Sequence, residues 1–327
     1  MTTYTDTSST RITPRQAWRA STIDDPSRWY FPLPAVSLAA ADQVVQAWRR
    51  QNQPVTAIRV DEGVRARLRD ELRQAIEELE HGRGFVVIDR VPMDRYSGQE
   101  AQVVYWVVGE LLGIPFEQNV QGTLLYDVRD TGQDLSQGAR FSVTNYESSF
   151  HTDNSFGDRV LDYVGLLCLH TAKSGGISQV VSGYAVHREL AKQHPDVLNT
   201  LCQPFHVDRR GGTREGDSPT VRVPILQMCD DGLLVRYLRY WIQVGHEKIG
   251  QPLTTEQVHA LDLFDSVLAR QDLRAEFTLE PGQMFFINNR WILHNRTAFE
   301  DYSELERRRH YVRLWLKAND STSRTPA

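Results

Sequence analysis

The sequence predicts an α+β fold, in which a helical N-terminal layer packs on a double-stranded β-helix, the cupin-like jelly roll. Two observations support this prediction. Residues 61–80 and 99–112 carry apolar side chains at helical spacing. Beyond Pro115, short apolar runs recur between Gly, Asp, Asn and Pro, which is typical of a sheet-rich sandwich or barrel.

The chain shows no internal boundary. No segment repeats, and no low-complexity linker divides its middle. Residues 1–20 are rich in Ser, Thr and Arg without an apolar period, which favours a flexible tail. We therefore expect one domain over residues 21–327, with the helical layer at about 21–115 and the β-helix core at about 116–320.

The composition is that of a globular protein rather than a nucleic-acid-binding or membrane protein. Hydrophobic residues make up 40% of the 327 residues, which is enough for a sizeable core. The formal charge of −5 provides no broad basic surface for nucleic acid or an anionic membrane. No apolar run approaches the ~20 residues of a membrane span, and the polar start lacks the apolar centre of a secretion signal. We expect a cytoplasmic protein with a small-molecule substrate, and the sequence leaves a homo-oligomer open.

The elements of the helical layer follow from periodicity and from glycine. The helix at about 61–80 ends at Gly82 and Gly84, and the apolar run 85–88 (FVVI) predicts a buried strand directly after it. The helix at 99–112 closes at a Gly and a Pro. The three cysteines lie far apart without CxxC spacing, so we expect them to be reduced and mostly buried.

In the core, two further helices interrupt the strands. They are predicted at Tyr184–Gln193 and at Thr255–Arg270, with Thr254 or Thr255 as the cap of the second. The predicted strands carry the runs TLLYDV, DYVGLLCL, SQVVSGY, GLLVRYLRYW, FTLE, QMFFIN and HYVRLWLK.

The motif SSFHTDNSF contains the first candidate metal ligands. Residues i and i+2 of an extended chain point to the same side, so His151 and Asp153 can place an imidazole nitrogen and a carboxylate oxygen on one metal. A second His from a distant strand would complete a two-His-one-carboxylate triad with three adjacent open positions. Such a site suits non-haem Fe(II) oxygen chemistry.

The chain contains a second pair of this kind, His206 and Asp208. An isolated His-x-Asp carries little information, and a solvated turn or a cap is the usual alternative. The second pair is followed by Arg209 and Arg210, so we expect a basic loop there and prefer the first pair.

Several histidines could supply the third ligand. His294 is preferred because it follows the apolar run QMFFINNRWIL, which is typical of a strand passing into a corner. His170 is the main rival but is as easily explained as a core residue, and His310 lies beside several arginines, which disfavour a divalent cation. The other candidates are His187, His194, His246 and His259.

Three arginines precede the last predicted strand. Arg309, Tyr311 and Arg313 share one face of that strand by alternation. An arginine held near a metal can grip the far carboxylate of a dicarboxylate with two parallel hydrogen bonds. For Arg307 and Arg308, a solvated basic edge is the competing interpretation.

These pieces together resemble a known family. In their order and separations, HTDNSF, GGIS, LHNRTAF and RRRHYVRLWL resemble the taurine dioxygenase and clavaminate synthase-like superfamily of Fe(II)- and 2-oxoglutarate-dependent oxygenases, from about Gly84 to Lys317. The resemblance implies the cofactors Fe(II), 2-oxoglutarate and O2, with His151, Asp153 and His294 as the metal ligands and catalytic centre.

The resemblance also implies a site for the cosubstrate. Arg309, fifteen residues after His294, and Ser178, in GGIS, correspond to the residues that hold the C5 carboxylate of 2-oxoglutarate. Because the intervening stretch is longer than in taurine-type members, Arg307 and Arg308 stay open as alternatives. The implied reaction is hydroxylation, with desaturation or ring closure as other outcomes. Halogenation is disfavoured, because halogenating relatives replace the carboxylate at Asp153 with Ala or Gly.

The primary substrate is less defined. The candidate substrate residues are Arg313, Asn119 and Tyr146, and Gln118, Arg209 and Arg210 are further pocket candidates. Their partly cationic character favours a small anionic or amino-acid-like substrate, and we expect a role in secondary metabolism. The competing functions are a metal-dependent hydrolase or isomerase and a non-catalytic binding protein on the same scaffold.

Overall fold

The computed structural model describes residues 12–51, 53–133, 141–157, 160–210 and 218–319. Within these ranges the α-helices are α1 (Ala35–Gln51), α2 (Glu62–Glu71), α3 (Arg73–Glu80), α4 (Gly98–Leu112), α5 (Gly183–Gln193), α6 (Pro195–Leu201), α7 (Arg239–Lys248) and α8 (Thr255–Leu268). None of the helices described is both long and apolar enough to cross a membrane.

The strands in the same ranges are β1 (Tyr30–Pro32), β2 (Phe85–Asp89), β3 (Ile114–Phe116), β4 (Leu125–Val128), β5 (Tyr163–His170), β6 (Ser174–Gly175), β7 (Ser178–Ser182), β8 (Pro204–Asp208), β9 (Thr220–Pro224), β10 (Leu226–Cys229), β11 (Gly232–Val235), β12 (Arg274–Phe277), β13 (Met284–Asn288), β14 (Ile292–Arg296), β15 (Phe299–Glu300) and β16 (His310–Lys317). The fold is therefore a mixture of helices and sheets, as the α+β prediction requires.

Two sheets organise the molecule. The larger has the strand order β1-β2-β13-β5-β16-β3, with β4 pairing beside β3 on the same edge of β16. Its pairs are antiparallel except β1 with β2. The smaller sheet has the order β12-β7-β14 and is antiparallel. The strands β8 and β9 pair as one antiparallel two-stranded sheet, and β10 and β11 pair as another.

The larger sheet separates two hydrophobic cores. In β16, Tyr311 and Trp315 belong to the core that also contains side chains of β7 and β14, whereas Val312 and Leu314 belong to the core shared with α1–α4. This alternation is the one expected of a strand that is covered on both faces. The smaller sheet lies against one face of the larger sheet, and the helical layer covers the other.

Local signals explain the helix ends in this layer. Asp61 caps α2 through the backbone N–H of Gly63, and Ser97 forms a capping box with Glu100 at the start of α4. The helix predicted at 61–80 is divided at Leu72 into α2 and α3. The chain after Leu72 keeps its apolar face toward the sheet.

Most predicted elements are present, but the helices α1, α6 and α7 were not predicted. The run GLLVRYLRYW, predicted as one strand, divides into β11 and the start of α7. Its aromatic and β-branched residues resemble a strand, but Arg239 binds Asp262 and Asp265 of α8 and so holds the turn into the helix. The run FTLE contributes only Phe277 to β12.

The structure also differs from the expected tail. Residues 1–11 lie outside the described ranges, but residues 12–20 pack on the domain. Trp18 is 1% exposed and its indole Nε1 donates to the Arg83 carbonyl over 2.9 Å. Arg15 and Arg19 form ion pairs with Glu78 and with Glu189. The tail prediction is therefore wrong for residues 12–20, because one buried Trp outweighs a polar composition. The single-domain division stays a prediction.

Candidate metal centre and adjoining cavity

Two distant segments meet at the candidate metal centre. His151 and His294 form an isolated antiparallel bridge, with reciprocal backbone hydrogen bonds of 3.0 and 2.9 Å. Asp153 follows in a turn. The ligand atoms of these three residues all lie within 4.8 Å of one another, and the Asp153 Oδ1 atom is 3.4 Å from His151 Nε2 and 3.9 Å from His294 Nε2. The geometry therefore converges on one point.

The carboxylate of Asp153 is held in one orientation. Its Oδ2 atom accepts hydrogen bonds from Trp315 Nε1 over 2.8 Å and from Arg313 Nη1 over 3.1 Å. The Asp153 backbone N–H donates to Asn289 Oδ1 over 2.8 Å. Burial raises the pKa of Asp153, but Arg313 and the two histidines outweigh burial and hold it below its usual range. The carboxylate is therefore ionised, with Oδ1 directed toward the histidines.

Both imidazoles can offer a lone pair at Nε2. His151 Nδ1 donates to the Ser149 carbonyl over 2.8 Å, which leaves Nε2 unprotonated in the neutral ring. Burial and the neighbouring His151 lower the pKa of His294 to about 3, so His294 is neutral near pH 7. Two neutral imidazoles and one carboxylate on one side of a metal match the donor set of non-haem Fe(II) sites. The residues present therefore fit this metal.

A cavity of about 670 Å³, including its open mouth, adjoins the three ligands. It is lined by Val128, Ser142, Ser148, His151, Val164, Leu166, Ser178, Gln179, Phe285, His294, Asn295, Arg296, Arg309 and Arg313. Polar and cationic groups thus share the cavity with an apolar wall, which is the usual composition of a small-molecule site.

Arg309 is the most unusual of these lining residues. It is 3% exposed, and its Nε and Nη1 atoms have no hydrogen-bond partner among the described residues. Its guanidinium lies 3.9 Å from the centre of the Tyr311 ring. Burial lowers its pKa, but a guanidinium does not lose its proton in proteins. A buried, unpaired cation of this kind calls for an anionic ligand.

The neighbouring arginines are occupied elsewhere. Arg307 stacks on Tyr302 and pairs with Glu304, while Arg308 donates to the Tyr302 carbonyl. Neither lines the cavity. Arg309 lies there together with Ser178, which is 7% exposed. These positions support Arg309 and Ser178 as the cosubstrate residues over the two alternatives.

The candidate substrate residues are only partly brought together. Arg313 lines the cavity, but its Nη1 binds Asp153 and its Nε donates to Gln118 Oε1 over 2.8 Å. The Asn119 side chain accepts from backbone N–H groups of its own turn, and the Tyr146 side chain is exposed. The structure does not place Asn119 or Tyr146 in the cavity, and Arg313 already has a protein carboxylate as partner.

The second His-x-Asp pair makes contacts of a different kind from those at the candidate metal centre. His206 and Asp208 belong to the regular strand β8, so the expected loop is wrong for these residues. Asp208 Oδ1 accepts from Lys248 Nζ over 2.7 Å, and the His206 backbone N–H donates to His246 Nε2. The helix α7 presses on this strand so closely that a Cβ on Gly245 would lie 2.5 Å from the His206 carbonyl oxygen.

The other rival histidines are also accounted for. His310 Nε2 lies 2.7 Å from Asp127 Oδ1, on the edge where β4 meets β16. His170 ends β5 and pairs with His310 in register. In the part of the chain that the structure describes, the cluster able to hold a metal is His151, Asp153 and His294.

Three residues that line the cavity or contact Asp153 were not singled out from the sequence, and alternation could have found two of them. Arg296 lies two residues after His294 on β14, and Trp315 lies two residues after Arg313 on β16, so each shares a face with a predicted site residue. Asn289, which supports the Asp153 backbone, begins the turn directly after β13 and left no such signal.

Comparison with known proteins agrees with this geometry. The family model described as taurine catabolism dioxygenase TauD, TfdA family matches residues 50–315. FR-33289 synthase of Streptomyces rubellomurinus is 29% identical over 322 residues, covering 94% of this chain and 91% of the relative. The similarity therefore extends over nearly the whole chain.

Solved structures show the same fold. Asparagine oxygenase in complex with Fe(II), 3-hydroxyasparagine and succinate matches with a TM-score of 0.66 and 18% identity, covering 91% of this chain and 96% of that chain. The iron oxygenase OrfP in complex with Fe and alpha-ketoglutaric acid matches with a TM-score of 0.65 and 16% identity, covering 90% and 96%. Because the family match spans most of the sequence, the chain belongs to the TauD, TfdA family of dioxygenases and is a non-haem iron enzyme that depends on 2-oxoglutarate.

Proposed function

We propose that this enzyme hydroxylates a C–H bond of a small amino-acid-like or anionic metabolite and releases succinate and CO2. The single observation that carries the proposal is a buried, unpaired arginine in the same cavity as two neutral histidines and an ionised carboxylate. We further propose that the two facing sheets form the double-stranded β-helix predicted from the sequence. His151 and His294 would then join its two walls through their bridge.

In this proposal, His151 Nε2, Asp153 Oδ1 and His294 Nε2 are the protein ligands of Fe(II). The bound iron supplies the oxygen activation that protein side chains cannot provide. The role of the protein is to hold His151 through Nδ1, to keep His294 neutral by burial and to keep the carboxylate of Asp153 ionised. Trp315 and Arg313 occupy Oδ2 and so leave Oδ1 for the metal.

We assign the cosubstrate end of the cavity to Arg309 and Ser178. The Nε and Nη1 atoms of Arg309 can donate two parallel hydrogen bonds to the C5 carboxylate of 2-oxoglutarate, and the Ser178 hydroxyl can donate a third. The apolar wall of Val164, Leu166 and Phe285 would cover the methylene carbons between the two carboxylates. This arrangement would fix the cosubstrate at its far end.

The proposed substrate class is supported by the contacts of Arg313 and by what related proteins bind. Asparagine oxygenase, which shares the fold, is known in complex with 3-hydroxyasparagine, an amino acid. FR-33289 synthase supports a place in secondary metabolism. Since Arg313 is paired with Asp153, an amino-acid-like substrate does not need to supply an anion at that position. Desaturation and ring closure are further outcomes of the same hydrogen abstraction.

We also propose that the enzyme works in the cytoplasm. Cys168, Cys202 and Cys229 are all free thiols, as expected in a reducing compartment. The partner is a small molecule, and a homo-oligomer stays open.

One experiment tests the proposed function. Fe(II) and 2-oxoglutarate are added to the protein without oxygen, and the visible charge-transfer band of the chelate is recorded. Succinate is then measured in air against a panel of amino acids and acidic metabolites. A band together with substrate-dependent succinate supports the proposal. Turnover of a substrate without 2-oxoglutarate would instead favour a metal-dependent hydrolase or isomerase.

A further inference from the structure

Arg296 occupies a position beside the cosubstrate end that the assignments above leave unexplained. It lies on β14 and pairs in register with Ser178 on β7. Directly opposed residues of an antiparallel pair share a face, with Cβ atoms roughly 5 Å apart. Both residues line the cavity, together with Arg309. Arg296 is therefore the cross-strand neighbour of the proposed carboxylate donor.

The guanidinium of Arg296 joins two parts of the molecule. Its Nη1 atom donates to the Thr144 carbonyl over 3.1 Å, and its Nη2 atom donates to the Tyr146 carbonyl. The Arg296 backbone N–H donates to Ser148 Oγ over 2.9 Å, and Ser148 N–H donates back to the Arg296 carbonyl over 3.1 Å. Arg296 thus holds residues 144–148, the segment that leads into His151.

The third nitrogen of the Arg296 guanidinium, Nε, does not donate to either of these carbonyls. Arg296 Nε is buried and has no hydrogen-bond partner among the residues that the structure describes. The Phe299 ring lies 4.6 Å from the Arg296 guanidinium carbon and 5.2 Å from that of Arg309. Two cations therefore lie against one ring, at the end of the cavity where each has a buried donor without an acceptor.

We propose that Arg296 is a second cationic contact for the distal carboxylate of 2-oxoglutarate, and that it couples cosubstrate binding to residues 144–148. The inference rests on the proposed cosubstrate site. A carboxylate shared by Arg296 and Arg309 supplies the missing acceptor and relieves the repulsion between the two like charges. It also fixes the guanidinium plane that holds the Thr144 and Tyr146 carbonyls. Because coupling is reciprocal, a well-held segment raises cosubstrate affinity, and bound cosubstrate protects the segment.

The test uses the full-length protein and two variants of this residue. Arg296→Met removes both the charge and the donors, and we expect roughly 10- to 100-fold weaker 2-oxoglutarate binding, the range for losing a hydrogen bond to a charged group. Arg296→Lys keeps the charge and one donor and should lie between Arg296→Met and the wild type. Affinity is read from the anaerobic charge-transfer band. Arg65→Met is the matched control, because Arg65 is half-buried and also donates to a backbone carbonyl, that of Glu110, in the helical layer.

Amide hydrogen exchange provides the readout that a merely structural role would not change. In the wild type, 2-oxoglutarate with Mn(II) should slow exchange at residues 144–148, and in Arg296→Met this protection should be lost. Arg296→Met could instead bind 2-oxoglutarate as tightly as the wild type and show faster exchange at residues 144–148 both with and without cosubstrate. Arg296 would then only support this segment, and the inference would be overturned. If the wild type itself shows no band, the proposed function fails and the inference fails with it. If Arg296→Met does not fold, Arg296→Lys with wild-type affinity and protection overturns the inference.

Discussion

The two His-x-Asp pairs of this chain share the same sequence pattern, but different elements pack against them. At His151 and Asp153, the distant strand β14 brings a second histidine, so two imidazole nitrogens and a carboxylate oxygen converge. At Asp208, the distant helix α7 brings Lys248, which donates to the carboxylate and leaves no converging lone pairs. The motif supplies two donor atoms in either case. The element that packs against it decides whether they can hold a metal or only an ion pair.

The same contrast applies to the second histidine near each pair. His294 Nδ1 is buried without a partner in the described structure, and its Nε2 lies 3.9 Å from Asp153 Oδ1. His246 has both ring nitrogens occupied, since Nε2 accepts from the His206 backbone and Nδ1 lies 2.8 Å from the Gln251 carbonyl. A histidine whose two nitrogens serve the backbone cannot also bind a metal. The number of free nitrogens therefore separates the two sites as clearly as the charge does.

The largest expected effect distinguishes the two carboxylates, because removing Asp153 should destroy the metal site and removing Asp208 should not. Asp153→Ala should abolish both Mn(II) binding and substrate-dependent succinate formation, because it removes the anionic ligand. Asp208→Ala should keep most of the activity, since it frees the half-exposed Lys248 and the Arg210 backbone N–H but no candidate metal ligand. Metal titration and succinate assays on both variants check this. An inactive Asp208 variant beside an active Asp153 variant would mean that the metal binds at the other pair.

The next effect concerns Arg309, the buried arginine in the cavity beside the first pair. Arg309→Gln should weaken 2-oxoglutarate binding by about 2 to 5 kcal/mol, because a buried bidentate charge pair is lost. Ser178→Ala should cost about 0.5 to 3 kcal/mol. Cosubstrate titration of the anaerobic band measures both. Arg308→Gln is the control, and a large effect there with none in Arg309→Gln would shift the assignment by one residue.

A smaller effect tests the orientation of the carboxylate. Trp315→Phe removes the indole donor to Asp153 Oδ2 but keeps an aromatic ring, and we expect roughly 10- to 100-fold weaker Mn(II) binding. Trp18→Phe is the matched control, because it removes another buried indole donor, the one that binds the Arg83 carbonyl. Metal titration and thermal unfolding are measured on both. Equal losses of stability with unchanged metal affinity would make Trp315 a packing residue only.

The smallest effect belongs to the histidine–carboxylate pair at the sheet edge. The hydrogen bond from His310 holds the pKa of Asp127 below its usual range. A depressed carboxylate pKa contributes stability above the ordinary pKa of Asp, and this stability is lost as the pH falls through the lowered value. Because Asp127 is mostly exposed, Asp127→Asn should lower stability at pH 7 by about 0.2 to 1 kcal/mol and by less near pH 3. Urea unfolding at the two pH values checks the sign, and a larger loss at pH 3 would contradict it.

Much of this site could be predicted from the sequence, because successive side chains of a strand alternate between its two faces. Alternation predicted a shared face for Arg309 and Arg313, and both line the cavity, although Arg309 precedes β16 and the pairing with β5 shifts register between His310 and Tyr311. His151 and Asp153 were predicted as ligands by the same rule, and the structure brings them to His294. The buried helix α4 and the capping box of α8 followed from local signals as well. These features depend on neighbours within a few residues.

The features that were missed depend on distant partners. The strand at 204–208 exists because β9 pairs with it and α7 packs on it, and no local pattern marks it. The helix α7 has the aromatic composition of a strand, and its ion pairs with α8 decide otherwise. The same holds for Trp18, whose burial depends on a carbonyl 65 positions away.

The strand β16 carries the brace of the Asp153 carboxylate, Arg313, and its indole donor, Trp315, at alternate positions, and the proposed cosubstrate cation, Arg309, directly precedes the strand. A slip of one residue would turn Arg313 and Trp315 away together and bring Val312 and Leu314 toward the metal. Such a slip is opposed on both edges, by β5 on one side and by β3 and β4 on the other. The register of β16 therefore also sets the orientation of Asp153, so a pairing error in one strand would disturb a proposed metal ligand that lies 160 positions away in the sequence.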